Sequence, residues 1–171
     1  AYIDEDLEIA PGRYLMEPRV FGRLLQAANI GPQDVVLDVG CGSGYSSAVI
    51  AQLAGTVMAL ESDQALREMA TSNLEQLSVD NVAVVSGDLF EGYAPEAPYD
   101  VVFVNGAVAE IPSTLVEQLV DGGRLVSVIE SDTVGRGTLV TSQNGQTDSI
   151  VLFDAQVPIL TGFERRAEFR F

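Results

Sequence analysis

Histidine is absent from the chain, and cysteine occurs once, at Cys41. Without imidazole, Ser-His-Asp and Cys-His triads are impossible, and a zinc or other transition-metal site would lack its usual ligands. A single cysteine excludes disulfides within the chain and is compatible with a reducing compartment. We therefore expect a cytoplasmic protein whose chemistry uses neither imidazole nor a bound metal.

Positive charge is also scarce. Nine Lys and Arg residues stand against 25 Asp and Glu, which gives a formal net charge of −16. This charge opposes binding to a phosphate backbone, so we expect no nucleic-acid partner. No apolar run reaches the roughly 18 residues of a membrane span, and no signal-peptide pattern stands at the start, so we expect no membrane association. The chain opens at Ala1, and we expect upstream residues to be missing.

Strand-like and helix-like runs alternate over most of the chain, which predicts a doubly wound, mainly parallel α/β sheet in one domain of residues 1–171. Strands are predicted at 35–39, 56–61, 82–86, 99–104 and 124–129. Helices are predicted at 18–29, at 44–53, from Asp63 to Leu77 with Leu66, Ala70, Leu74 and Leu77 on one face, and from Pro112 to Gly122-Gly123. Asn144-Gly145 predicts an antiparallel hairpin, and residues 163–171 alternate as a further strand would.

The first predicted strand leads into a turn with glycine at positions 40, 42 and 44. A glycine turn that opens a helix is where doubly wound sheets bind nucleotide-like ligands. The dinucleotide pattern G-x-G-x-x-G lacks its third glycine here, because that position is Tyr45. Asp38 would repel a diphosphate over this turn; it suits a ligand with an ammonium group, or orders the loop through its amides. Cys41 reads as a small filler of the turn.

Two more acids stand where the next strands end. Glu61 ends the second strand, where a carboxylate can accept both hydroxyls of a ribose, and Asp88 follows the third, where it can accept from an adenine amino group. Glu61 alone also fits NAD, and each acid has a plainer interpretation, as a solvated strand end or a turn residue. The three acids together favour S-adenosylmethionine, which carries no phosphate.

Three further positions, Cys41, Ser62 and Asn105, complete the predicted cofactor site, and Cys41 is assigned to it as part of the glycine turn. Ser62 follows Glu61 and is assigned with it to the cofactor. Asn105 follows the fourth strand, near the expected position of a methyl acceptor, although an Asn-Gly turn explains it equally well.

The stretches "VLDVGCGSGYSSAVIAQL", "ALESD", "NVAVVSGDLFEG", "PYDVVFVNGAVAEIP" and "LVDGGRLVSV" occur in an order and spacing that resemble protein-L-isoaspartate O-methyltransferases. The resemblance implies a seven-stranded, Rossmann-like methyltransferase fold with an antiparallel C-terminal portion. It also implies S-adenosylmethionine as methyl donor, isoaspartyl carboxylates of damaged proteins as acceptors, and a monomer. The family's cofactor loop falls on Gly40, Gly42 and Gly44, its ribose acid on Glu61, and its adenine contacts on Asp88 and Leu89.

One segment departs from the family. Where the family reads Gly-Gln-Thr-Ile-Ser-Gln-Pro, this chain reads "GRYLMEP" at 12–18, so Tyr14 replaces the threonine and Met16 the serine near the transfer centre. Glu17 adds negative charge that disfavours an anionic acceptor, and Arg13 offsets it if it points inward. Arg13, Tyr14 and Met16 are the candidate substrate contacts, and no catalytic residue is assigned.

Four hypotheses remain open at this point. A carboxyl O-methyltransferase of the isoaspartyl-repair type leads, because a carboxylate is already a nucleophile at pH 7 and needs positioning rather than a base. The second is a methyltransferase of the same fold with another acceptor, and the third is a cofactor-binding protein without catalysis. An NAD-dependent oxidoreductase is the fourth.

Overall fold

A computed structural model describes residues 4–131 and 134–164, with Ser131 described by its backbone alone. The helices are α1 (Pro18–Ala28), α2 (Tyr45–Ile50), α3 (Gln64–Gln76) and α4 (Ser113–Val116). The strands are β1 (Leu7–Ala10), β2 (Arg13–Leu15), β3 (Val35–Val39), β4 (Thr56–Glu61), β5 (Val82–Ser86), β6 (Tyr99–Val108), β7 (Leu119–Ser131), β8 (Val134–Gln143) and β9 (Gln146–Asp154).

Seven of these strands form one sheet in the order β5-β4-β3-β6-β7-β8-β9. The pairs from β5 to β7 are parallel, and the two pairs that include β8 are antiparallel. The predicted α/β fold with a mainly parallel sheet and an antiparallel C-terminal portion is therefore confirmed. Because β3, β4 and β5 run in parallel, their carboxyl ends lie at the same edge of the sheet.

Both faces of the sheet are covered, as a parallel sheet requires. Neighbouring residues of β3 point to opposite faces: Val36 belongs to a core cluster with Phe21 and Leu24 of α1, and Leu37 to a second cluster with Leu115 of α4. All five of these side chains are buried. This arrangement explains why β3 reads as an unbroken apolar run, with Asp38 as its single polar residue.

The predicted strands at 35–39, 56–61 and 82–86 have the predicted bounds, and α1 begins at Pro18 as predicted. The hairpin is also confirmed, since β8 and β9 pair up to Gln143 opposite Gln146 and the two turn residues have positive φ angles. The predicted strand at 163–171 lies almost entirely outside the described residues.

Two helix predictions need correction. The helix predicted from Pro112 to Gly122-Gly123 ends at Val116, because Leu119 pairs with Tyr99 of β6 and the backbone continues as β7. α2 is shorter than predicted and ends at Ile50.

A third correction concerns the buried face of α3. Leu66, Ala70 and Leu74 are buried as predicted, but Leu77 is 65% exposed because the helix ends at Gln76 and Leu77 follows as its C-cap. The start of α3 is as predicted, since the Asp63 carboxylate accepts a hydrogen bond from the Leu66 amide at 2.9 Å.

The chain begins, within the described residues, with a small antiparallel hairpin of β1 and β2, here called the N-terminal hairpin (residues 7–15). Sequence patterns did not predict it. Asp6 and Asp4 hold the start of α1 directly after it, accepting hydrogen bonds from the amides of Glu17 and Arg19. These contacts join the residues before the hairpin to those that follow it.

No helix in the described part of the chain is long and apolar enough to cross a membrane.

Candidate active site

The glycine loop, residues 40–44, connects β3 to α2 at the carboxyl edge of the sheet. Gly40, Gly42 and Gly44 have φ angles of 74°, 56° and 86°, which L-residues adopt only with strain. The amides of Gly40 and Cys41 both donate to the Leu60 carbonyl of β4, at 2.9 and 3.2 Å. The loop is therefore a fixed turn held against the end of β4.

Asp38 is completely buried in β3, two residues before the glycine loop. Its carboxylate accepts hydrogen bonds from Ser46 Oγ at 2.7 Å, from Ser47 Oγ at 2.5 Å and from the Asn105 amide group. Burial raises the pKa of Asp38, the three hydrogen bonds lower it and the charge of Glu61 raises it, with a net pKa of about 6. Asp38 thus contacts the start of α2 and Asn105 of β6 through their side chains, and no amide of the glycine loop is among these donors. Its assignment to a ligand's ammonium group stays a prediction.

Glu61 is likewise completely buried, at the end of β4 and against the glycine loop. Its Oε2 accepts from the Gly42 amide at 2.9 Å and its Oε1 from the Asp63 amide at 3.0 Å. Arg13 of the N-terminal hairpin adds two hydrogen bonds, Nη1 to Oε1 at 2.7 Å and Nη2 to Oε2 at 2.6 Å. The plain interpretation of Glu61 as a solvated strand-end acid is therefore wrong.

The N-terminal hairpin covers the glycine loop. A methyl group at Gly42 would lie 2.7 Å from Ile9 Cδ1, and one at Gly40 would lie 3.0 Å from the Leu160 side chain. Two cavities of about 10 Å³ each remain between the hairpin, the loop and the Asn105 region of β6. Ligand sites for small molecules measure roughly 300–1,000 Å³, so the hairpin fills the space above the loop in this conformation.

Asp88 and its neighbours lie at the same edge, two residues beyond Ser86, which pairs with Glu61. The Asp88 side chain is exposed and accepts from the Phe90 amide at 2.9 Å, which makes it a turn residue in this conformation. Leu89 is 3% exposed and packs in the apolar core. Ser62 is exposed, and its carbonyl accepts from Arg67 Nη1 at 2.9 Å.

Cys41 is buried with its side chain against Ala59 and Ala70. Burial, together with the negative charges of Asp38 and Glu61, raises the pKa of its thiol well above the usual range. The thiol is thus a poor nucleophile and fills space, as the sequence indicated. Within residues 4–131 and 134–164 no group of three His, Cys, Asp or Glu side chains could hold a metal ion.

The segment that departs from the family is divided between the core and the surface. Met16 is 8% exposed and belongs to the core cluster of α1, although it also borders both small cavities. Tyr14 is half-buried and borders the same cavities. Glu17 forms an ion pair with exposed Arg19 at 3.4 Å and borders a different pocket. Its charge therefore lies away from the glycine loop.

The structure thus brings together Arg13, Asp38, the glycine loop, Glu61 and Asn105. Sequence reasoning missed four contributors: Ser46 and Ser47, which hold Asp38, and Ile9 and Leu160, which lie on the loop. The serines lie in the first turn of the helix that follows the glycine turn. Their position near Asp38, at the end of the preceding strand, could therefore have been predicted from the sequence. Ile9 and Leu160 are distant in sequence and gave no signal.

Comparison with known proteins points to one family of methyltransferases. The family model described as protein-L-isoaspartate (D-aspartate) O-methyltransferase matches residues 1–156. The protein-L-isoaspartate O-methyltransferase of Koribacter versatilis is 38% identical over 161 residues, which cover 94% of this chain and 72% of that protein. The one from Pyrococcus horikoshii is 40% identical, over 77% of this chain and 60% of that protein.

A solved protein-L-isoaspartate O-methyltransferase superimposes with a TM-score of 0.83 at 26% identity, over 94% of this chain and 54% of that one. The chain therefore spans between about half and three quarters of the length of these three proteins. On the family match over residues 1–156 and the identity to its relatives, the chain belongs to the protein-L-isoaspartate O-methyltransferase family.

Proposed function

We propose that the protein is an S-adenosylmethionine-dependent carboxyl O-methyltransferase that methylates isoaspartyl carboxylates in damaged proteins. The observation that carries the proposal is the fully buried Glu61 carboxylate against the glycine loop, in a chain that the family model matches over residues 1–156. The relatives carry the name of this activity and do not favour another acceptor or a protein without catalysis.

The residues at the carboxyl edge suit an adenosyl ligand without phosphate. A buried carboxylate accepts hydroxyl protons well and repels a diphosphate, and three positive-φ glycines leave the backbone of the loop without side chains. Glu61 would hold the ribose hydroxyls, Asp88 the adenine amino group, and Gly40 to Gly44 the ligand's flank. The ligand supplies an electrophilic methyl group. In the present conformation Arg13 binds Glu61 and Ile9 lies next to Gly42. Binding of the ligand therefore requires the N-terminal hairpin to move.

The chain's task in such a reaction is positioning. The acceptor carboxylate is already an anion at pH 7, and its conversion to a neutral ester neither releases nor takes up a proton. A general base is therefore unnecessary, which suits a chain without histidine. Arg13 and Asn105, near the loop, are the side chains that would orient the acceptor, and closure of the hairpin would exclude water.

The finer properties follow from the same reasoning. We propose a cytoplasmic monomer, one domain over residues 1–171, with damaged proteins as partners and neither nucleic acid nor membrane. A net charge of −16 and a single buried cysteine support this proposal.

The test is transfer of a labelled methyl group to a short peptide with one L-isoaspartyl residue and to its aspartyl twin. We expect a base-labile methyl ester on the isoaspartyl peptide and at least tenfold less label on the twin. Equal labelling of both peptides, or label on neither, would contradict the proposed acceptor.

A further inference from the structure

Arg13 is a cation buried inside the site, 7% exposed, and it belongs to the N-terminal hairpin rather than to the sheet. Its guanidinium meets Glu61 side by side, with one nitrogen on each carboxylate oxygen at 2.7 and 2.6 Å. Two backbone amides also donate hydrogen bonds to this carboxylate, that of Gly42 to Oε2 and that of Asp63 to Oε1. Each oxygen therefore already accepts two hydrogen bonds.

This saturation has a consequence for any ligand that needs Glu61. The two amide donors belong to the backbone of the glycine loop and of the α3 start, which are held by the sheet, whereas Arg13 is carried on a long side chain of a two-stranded hairpin. Ribose hydroxyls can bind Glu61 only by replacing the guanidinium. The cavity that Arg13 borders and the one at the glycine loop, of about 10 Å³ each, also leave no room for both groups.

We propose that Arg13 is the residue that binds the acceptor carboxylate, and that Glu61 holds it until the cofactor's ribose takes its place. The inference rests on the proposed function and deepens it, since it makes acceptor binding depend on prior cofactor binding. A guanidinium presents paired donors that match a carboxylate, so the acceptor replaces Glu61 as the partner of the same fork.

The other arginines near the sheet are engaged elsewhere. Arg67 donates to the carbonyls of residues 61 and 62, Arg124 pairs with Asp34, and Arg23 lies over the Phe153 ring at 3.9 Å. Arg13 borders the cavity that also includes Asn105 and Met16. In a chain with a net charge of −16, a local cation at this point is what an anionic acceptor requires.

Release of Arg13 from Glu61 also explains how cofactor binding and acceptor binding are coupled. A buried guanidinium without a partner is costly, so a site in which the ribose has displaced Arg13 gains from a second carboxylate. Once the acceptor has become a neutral ester, the guanidinium no longer has an anion to bind. The ester is then held less tightly than the carboxylate was, which favours its release.

The first test uses the wild-type protein and calorimetry. An isoaspartyl peptide is titrated into free protein and into protein saturated with S-adenosylhomocysteine. We expect at least tenfold tighter peptide binding to the saturated protein. Equal affinity in the two states would overturn the inference and leave the proposed function standing. Binding of S-adenosylhomocysteine without binding of the peptide in either state would overturn both.

The second test uses Arg13→Gln, with Arg13→Lys as the charge-conserving variant and exposed Arg136→Gln on β8 as the matched control. Because a ligand binds less tightly when its site is blocked part of the time, Arg13→Gln should bind S-adenosylhomocysteine at least tenfold more tightly. The saturated variant should bind the isoaspartyl peptide at least tenfold more weakly, and Arg13→Lys should restore part of that affinity. If the ion pair were merely structural, Arg13→Gln would instead bind both S-adenosylhomocysteine and the peptide more weakly, and that result would overturn the inference.

Discussion

Arg13 and Glu61, 48 residues apart in the chain, form a two-point ion pair in which the carboxylate is fully buried and the guanidinium side chain is 9% exposed. This pair joins the N-terminal hairpin to the carboxyl end of β4. It places a cation of the N-terminal hairpin on the acid that the proposed function assigns to the cofactor. The hairpin's position and the chemistry of the site therefore depend on the same contact.

Removing one partner of this pair should be costly. Glu61→Gln leaves the Arg13 guanidinium buried without an anion, and we expect the free energy of unfolding to fall by about 3–5 kcal/mol. The double variant Arg13→Met/Glu61→Leu should lose much less than the sum of the single variants. Urea unfolding measures both.

The ion pair of Arg19 with Glu17 is the control, since the Arg19 side chain is 70% exposed, that of Glu17 is 16% exposed, and the atoms lie 3.4 Å apart. Glu17→Gln should change the free energy of unfolding by less than about 1 kcal/mol. Equal losses for Glu61→Gln and Glu17→Gln would contradict the assigned burial of the Arg13–Glu61 pair.

Asp38 should give the protein a pH-dependent stability. Burial raises its pKa from 3.8 to about 6, so between about pH 4 and pH 6 the folded state binds a proton that the unfolded state has lost. The contribution of this group to the free energy of unfolding is therefore present in acid and lost as the pH rises through about 6. Its size is about 3 kcal/mol, at 1.36 kcal/mol per pKa unit.

Urea unfolding of wild type and Asp38→Asn at several pH values isolates this contribution. The stability advantage of wild type over the variant should shrink by about 2 kcal/mol between pH 4 and pH 7, because the unfolded-state carboxyl is still partly protonated at pH 4. Exposed Asp80→Asn is the control and should run parallel to wild type. A constant difference between wild type and Asp38→Asn would show that Asp38 has an ordinary pKa.

The contact of the N-terminal hairpin with the glycine loop is testable at Gly42. Gly42→Ala places a methyl group 2.7 Å from Ile9 Cδ1 in a backbone with φ +56°. We expect a loss of about 1–2 kcal/mol from the backbone conformation, and about 1–3 kcal/mol more from the overpacking. Thermal or urea unfolding measures the sum.

Gly12→Ala separates the two effects. Gly12 has a similar φ of 72°, and a methyl group there would have nothing within 4 Å, so only the backbone cost applies. In a double-mutant cycle, Ile9→Ala should remove most of the additional cost of Gly42→Ala. Additive effects of Ile9→Ala and Gly42→Ala would mean that the hairpin does not rest on the loop.

Met16 stands where the family has a serine, but the structure makes it a core residue. Met16→Ser should lower the free energy of unfolding by about 2–5 kcal/mol, because it removes buried apolar volume and buries a hydroxyl. Met69→Ser on α3, where the side chain is 43% exposed, should change it by less than about 0.5 kcal/mol. If Met16→Ser were as stable as Met69→Ser and gained activity on an isoaspartyl peptide, Met16 would be a substrate contact and not a core residue.

Much of the fold was readable from the sequence, for a physical reason. A parallel strand covered on both faces is an unbroken apolar run, so β3, β4 and β5 have the predicted bounds. The helix after Pro112 was predicted too long, because the local pattern around Leu119 suits a helix whereas pairing with Tyr99 draws the backbone into β7. Local preference was overruled there by a contact with a strand 20 residues away.

The site was predictable only in part. The glycine loop and Glu61 were found because strand ends at one edge of a parallel sheet must lie together. The partners of these residues were not, since Arg13 reaches Glu61 from a hairpin that no pattern predicted, and Ile9 reaches Gly42 across 33 positions. The sequence therefore did not predict that the hairpin covers the glycine loop and that Arg13 occupies Glu61.

The most direct test is a pair of calorimetric titrations of the wild-type protein, one with S-adenosylhomocysteine and one with NAD. The account predicts saturable binding of S-adenosylhomocysteine, weakened at least tenfold in Glu61→Ala, and no binding of NAD. Binding of NAD without binding of S-adenosylhomocysteine would contradict it.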